Sequence, residues 1–115
     1  MRVLGLVFAG SATDRRDEMA RFCADVLGLE RVAVAGASAD VFSLPDGAAF
    51  AVAGPRELGE TSRTIGFLVA DLDEAVVELR EAGAEVDDEP GVNERYRYVH
   101  FRGPDGKLYE LVEER

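Results

Sequence analysis

The chain has no tryptophan, one cysteine and one histidine in 115 residues, and its basic residues are outnumbered by its acids, thirteen to twenty-three. The lone Cys23 cannot close an internal disulfide, so nothing here asks for an oxidising compartment. A net charge of −10 repels phosphate backbones and anionic lipid, which sets nucleic acid and membrane surfaces aside as partners. No stretch approaches the roughly twenty apolar residues of a membrane span. Met1 to Gly10 is apolar enough to resemble a short signal segment, but it carries one Arg and runs directly into a charged helix. A cytoplasmic protein is expected. P-loop, serine nucleophile elbow, cysteine pair and dinucleotide-binding glycine fingerprint are all missing.

What is present is ordinary globular composition at a length that fits one domain, 1–115. Arg2–Ala9 reads as a buried strand. A helix follows, capped by Thr13 or Asp14, with Met19, Phe22, Cys23, Val26 and Leu27 as its apolar stripe and Gly28 as its left-handed stop. Arg31–Ala35, Asp40–Leu44 and Ala48–Ala53 read as short strands, the last two divided by Pro45-Asp46-Gly47. Gly54 to Arg63 is a linker.

Then the order repeats. Thr64–Val69 is a strand, Asp71 and Glu74 form a capping-box-like start, and Leu72, Ala75, Val76 and Leu79 give a helical stripe that Gly83 ends. Ala84–Val86 is a short strand, Asp87–Glu94 a polar loop, Arg95–Arg102 a strand, Gly103-Pro104-Asp105-Gly106 a turn and Lys107–Val112 the closing strand. Gly28 and Gly83 stand 55 positions apart, and Asp46 and Asp105 stand 59 apart. Two βαβββ modules, 1–58 and 62–115, account for this periodicity. The fold class is α+β.

Ala24-Asp25-Val26-Leu27-Gly28-Leu29, Val69-Ala70-Asp71-Leu72-Asp73-Glu74-Ala75 and Gly103-Pro104-Asp105-Gly106-Lys107-Leu108-Tyr109-Glu110-Leu111 resemble vicinal-oxygen-chelate (VOC) proteins, the glyoxalase / bleomycin resistance / dioxygenase type. The resemblance implies a curved mixed sheet of eight strands with helices outside, a concave small-molecule pocket and a homodimer. Its enzymes set His, Gln or Glu on the first strand of each module and an acid on the last, meeting at a divalent ion. Those positions map to Phe8, Ala51, Thr64 and Glu110. Phe8 and Ala51 cannot coordinate, so no metal site of the usual kind and no cofactor is expected.

Glu110 lies between Leu108 and Val112 on one strand face, where an acid is costly unless paired. It is a candidate pocket base, or equally a residue paired with an Arg. His100 faces Glu110 if the preceding turn takes five residues, and faces away from it if the turn takes four. Together they are the candidate catalytic pair, with a structural histidine as the plainer reading. Tyr96 and Tyr98 share the face of His100 and suit a ligand cup or simply a strand. Phe8, Thr64 and Arg102 complete the candidate ligand-binding set, with Arg102, Arg95 and Arg97 read either as anion contacts or as solvated charges. Cys23 reads as core. The run Asp71–Glu89, with nine acids and one Arg, reads as a solvated face.

Three functions compete. One is a metal-free protein that binds or sequesters a small organic ligand; the lack of Trp counts against flat cationic drugs. A second is a glyoxalase-type lyase or isomerase, or an oxygenase, using Glu110 and His100. The third is an interaction module whose cup is plugged by Phe8, Tyr96 and Tyr98.

Overall fold

The computed structural model describes residues 1–56 and 60–115; the end of module one at position 58 and part of the linker lie outside the described residues. The elements run β1 (Gly5–Ala12), α1 (Arg16–Asp25), β2 (Glu30–Val32), β3 (Asp40–Ser43), β4 (Ala49–Ala53), β5 (Ser62–Leu68), α2 (Leu72–Glu81), β6 (Gly91–Val92), β7 (Tyr96–Arg102) and β8 (Leu108–Glu114). The eight strands form one mixed sheet, ordered β2-β3-β4-β1-β5-β8-β7-β6. It is a curled half-barrel with two helices, the architecture that the resemblance implied.

The first strand of each module pairs in parallel with the last strand of its own module, β1 with β4 and β5 with β8. The modules join through the antiparallel pair β1–β5. The registers carry the internal repeat into the structure: Gly10 stands beside Ala51 as Gly66 stands beside Glu110. Two residues before these glycines, on the same faces of their strands, come Phe8 and Thr64. Phe8 and Thr64 are therefore equivalent positions of the two modules, as are Ala51 and Glu110.

Each helix covers its own core. Leu72, Ala75 and Val76 of α2 are buried with Val69, Val99 and Leu111, against Phe67 and Phe101. The start of α2 is doubly satisfied: the Asp71 carboxylate accepts from the Glu74 amide (3.0 Å) and Glu113 on β8 accepts from the Leu72 amide (2.8 Å). The second contact fixes the helix to the strand that carries Glu110.

Helix α1 is rotated from the expected stripe. Ala20 and Cys23 are its buried residues, packed with Phe42 and Val52, whereas Phe22, Val26 and Leu27 are exposed. Small side chains let the helix approach β4 closely, and the helix ends at Asp25, before Val26 and Leu27 can join its face. The expected cap is also different: Arg15 is the N-cap, without a side-chain bond, and Thr13 Oγ1 accepts from the Arg15 amide instead. Burial pushes the Cys23 thiol up, as befits a core residue. In module two, Val86 makes only an isolated bridge to Phe101, and the polar loop contains the short strand β6, paired with β7. Among the described residues no helix is long and apolar enough to cross a membrane.

Candidate functional site

The concave face encloses a cavity of about 230 Å³. Phe8, Val41, Ala51, Ala53 and Val112 give it apolar walls, and Arg56, Asn93, Tyr96, Tyr98, His100 and Glu110 supply polar groups. The cup is open rather than plugged, which removes the basis of the interaction-module reading.

Phe8, the position to which the resemblance assigns a metal ligand, lines the inner face. Its ring lies close over Gly10, where an added Cβ would come within 3.1 Å of it. Gly66 is tighter still, 2.9 Å from the Phe8 Cβ and 3.1 Å from Val112 Cγ2. Both glycines leave room for the aromatic ring on the inner face.

The turn between β7 and β8 takes five residues, Gly103 to Lys107, closing Arg102 against Leu108 and His100 against Glu110. Gly106 adopts a φ of +76° there, and the Asp105 carboxylate accepts from the Lys107 amide at 3.0 Å. His100 Nε2 stands 3.7 Å from Glu110 Oε1, just beyond hydrogen-bond distance. On its other side, Nδ1 meets Asp87 Oδ2 at 3.1 Å, and the same oxygen accepts from the His100 amide at 2.8 Å. An ionised Asp87 favours the tautomer with the proton on Nδ1, leaving the Nε2 lone pair toward Glu110.

Glu110 is 6% exposed. Burial pushes its carboxyl up to about 7, opposed by the positive charge of Arg56 and reinforced by Asp87. Burial also lowers His100, which Asp87 partly counters and Arg56 reinforces. Burial raises Tyr98 as well, with Glu110 and Asp87 adding to it. Tyr98 packs edge-on against His100, ring centroids 5.7 Å apart. Near neutral pH the site thus holds a carboxyl poised between its two forms beside a neutral imidazole.

Of the residues named from sequence, Phe8, Tyr96, Tyr98, His100 and Glu110 line this cavity. Thr64 is buried beneath it, its hydroxyl accepting from Arg56 Nη2 at 2.7 Å. Arg102 stands apart: it is exposed, donates to the Gly106 carbonyl (3.1 Å) and lies 3.9 Å from Glu85. Arg97 is engaged by Asp73 and Glu113. The arginine at the cavity is Arg56, from the linker, where no periodic pattern singles it out. Asp87 was also hidden, inside an acidic run; the position of His100 opposite that run is the only sequence signal for it.

The site does not suit a divalent ion. Phe8 and Ala51 have no donor atoms, Thr64 already accepts from a guanidinium, and among the described residues no three His, Cys, Asp or Glu side chains stand together as a metal site.

The fold recurs in solved structures. Methylmalonyl-CoA epimerase from Mycobacterium tuberculosis superposes with a TM-score of 0.76 at 22% identity, over 98% of this chain and 89% of that one. A point variant of Streptomyces coelicolor methylmalonyl-CoA epimerase, in complex with 2-nitronate-propionyl-CoA, gives 0.71 at 22% identity, over 98% and 99%. A hypothetical protein from Bacillus halodurans C-125 gives 0.70 at 19%, over 96% and 94%. No curated protein sequence matches the chain. The family model of the Glyoxalase/Bleomycin resistance protein/Dioxygenase superfamily matches residues 5–111, and the chain belongs to that superfamily.

Proposed function

We propose that this chain binds a small organic ligand in the concave cavity without a chelated metal. The observation that carries the reading is the cavity itself: about 230 Å³, walled by apolar side chains, with polar groups gathered around Glu110. Phe8 and Ala51 in place of metal ligands support the metal-free form. The test is a thermal-denaturation screen of small organic compounds against the chain and against Ala51→Phe, which fills the cup. Compounds that stabilise the parent and not the variant support the reading; stabilisation indifferent to Ala51→Phe contradicts it. A homodimer belongs to this proposal through the family, with exposed Val3, Leu4 and Leu6 as apolar surface for a second copy; sedimentation equilibrium tests it.

A second reading, acid–base catalysis, is favoured by the Glu110 carboxyl, raised to about 7, facing His100 Nε2. Inverting one carbon next to a carbonyl requires a group that takes a proton and a group that returns one, and a carboxyl of this kind does either near neutral pH. Methylmalonyl-CoA epimerases share the fold, so methylmalonyl-CoA in D2O is the first assay. Solvent deuterium entering at the carbon beside the thioester, and lost in Glu110→Gln, supports catalysis; no incorporation removes that substrate.

A further inference from the structure

We propose that Arg56 is the anion-binding group of the cavity, and that the ligand class is therefore small organic acids, with the carboxylate held by the guanidinium and the apolar part against Phe8, Ala51 and Val112. This rests on the reading of the cavity as a small-molecule site.

Arg56 is the only Lys or Arg among the described residues lining the cavity. One of its N–H groups donates to Thr64 Oγ1 at 2.7 Å, which anchors the side chain through a buried strand residue. Its Nη1 makes no hydrogen bond to another described residue and is the donor left for a ligand, whereas Nε is closed off from solvent. No carboxylate among the described residues lies within salt-bridge distance of it. A partly buried guanidinium with spare donors, beside apolar walls, is built to accept an anion, and the low-dielectric surroundings strengthen such a contact.

The placement ties Arg56 to two of the family's ligand positions. Thr64 and Glu110 are two of the four positions where the resemblance puts metal ligands, and Arg56 is hydrogen-bonded to the first. Its charge reaches the second, lowering Glu110 against the effect of burial. A fixed organic cation thus engages the Thr64 oxygen and acts electrostatically on Glu110. The chain as a whole carries −10 and the cup also holds Glu110, so Arg56 is the positive group that would draw an anion in.

The test titrates the 15N-labelled wild-type chain with benzoate and with its neutral isostere benzamide, following cavity amides and the Arg56 Nε–H. Benzoate should bind about 10- to 100-fold more tightly than benzamide and shift the Arg56 Nε–H. In Arg56→Gln that preference should vanish while benzamide affinity stays, and Arg56→Lys should restore part of it. Equal affinity for the two probes in the wild-type chain, or a preference surviving Arg56→Gln, overturns the proposal. Should Arg56→Gln not fold, the wild-type comparison decides alone. Benzamide binding without a benzoate preference would sink only the role of Arg56; binding of neither probe would sink the cavity reading with it.

Discussion

His100 stands between two carboxyl groups, with Nδ1 3.1 Å from Asp87 Oδ2 and Nε2 3.7 Å from Glu110 Oε1. Asp87 acts on both titrating groups in the same direction: its charge raises His100 against burial and raises Glu110 further. Asp87→Asn should therefore lower the midpoints of both. NMR titration of the His100 ring and the Glu110 carboxyl carbon measures this directly. A midpoint that rises, or two that stay in place, would show that Asp87 does not govern the pair.

Glu110 also gives stability a pH dependence of definite sign. Its folded carboxyl titrates at about 7 against an ordinary 4.5, so the folded state holds the proton more tightly. The group imposes no penalty below pH 4.5, a growing one as pH rises toward 7, and a constant one of about 3 kcal/mol above that. Glu110→Gln should match the parent at pH 4.5 and be more stable at pH 8, by up to that amount. His100, whose lowered pKa removes stability as pH falls below 6.5, is common to both proteins. Urea unfolding at the two pH values checks the difference, and a variant less stable at pH 8 would contradict it.

Gly66 holds the Phe8 ring against β8. An alanine there would place its Cβ 2.9 Å from the Phe8 Cβ and 3.1 Å from Val112 Cγ2, with little room to give on either side. Gly66→Ala should cost about 1–3 kcal/mol in urea unfolding. Gly10→Ala, which meets only the movable end of the Phe8 ring at 3.1 Å, should cost less.

Tyr98 lies against Gly91 of β6. A Cβ at that position would fall 2.6 Å from Tyr98 Cε2 and 2.7 Å from its hydroxyl. Gly91→Ala should therefore push the ring off its place beside His100. The expected result is a shift of the His100 ring resonances and weakened binding of cavity ligands. An unchanged His100 spectrum would mean that β6 yields instead.

The fold was legible in the sequence because its punctuation is strong: Gly28 and Gly83 both adopt positive φ, and both Pro-Asp-Gly turns fall between paired strands. Helix α2 followed its stripe because a capping aspartate and large apolar residues agree. Helix α1 did not, since Ala20 packs as core despite its small hydrophobic signal and the larger Phe22 faces solvent. The His100–Glu110 pairing stayed open in sequence, where one residue of turn length moves every side chain to the other face. Arg56 and Asp87 were illegible for a different reason. Both sit in irregular segments whose side-chain direction is set by tertiary packing, and charge in such segments reads as solvated.

We infer that the VOC-fold cavity takes a small organic molecule without a chelated ion. The most direct measurement is a 1H–15N titration of the chain with the thermal-screen compounds in EDTA, repeated with manganese in place of EDTA. Saturable shifts at Tyr98, Glu110 and Val112, already present in EDTA, are expected. Binding that appears only with manganese, with broadening centred on Glu110, would contradict it.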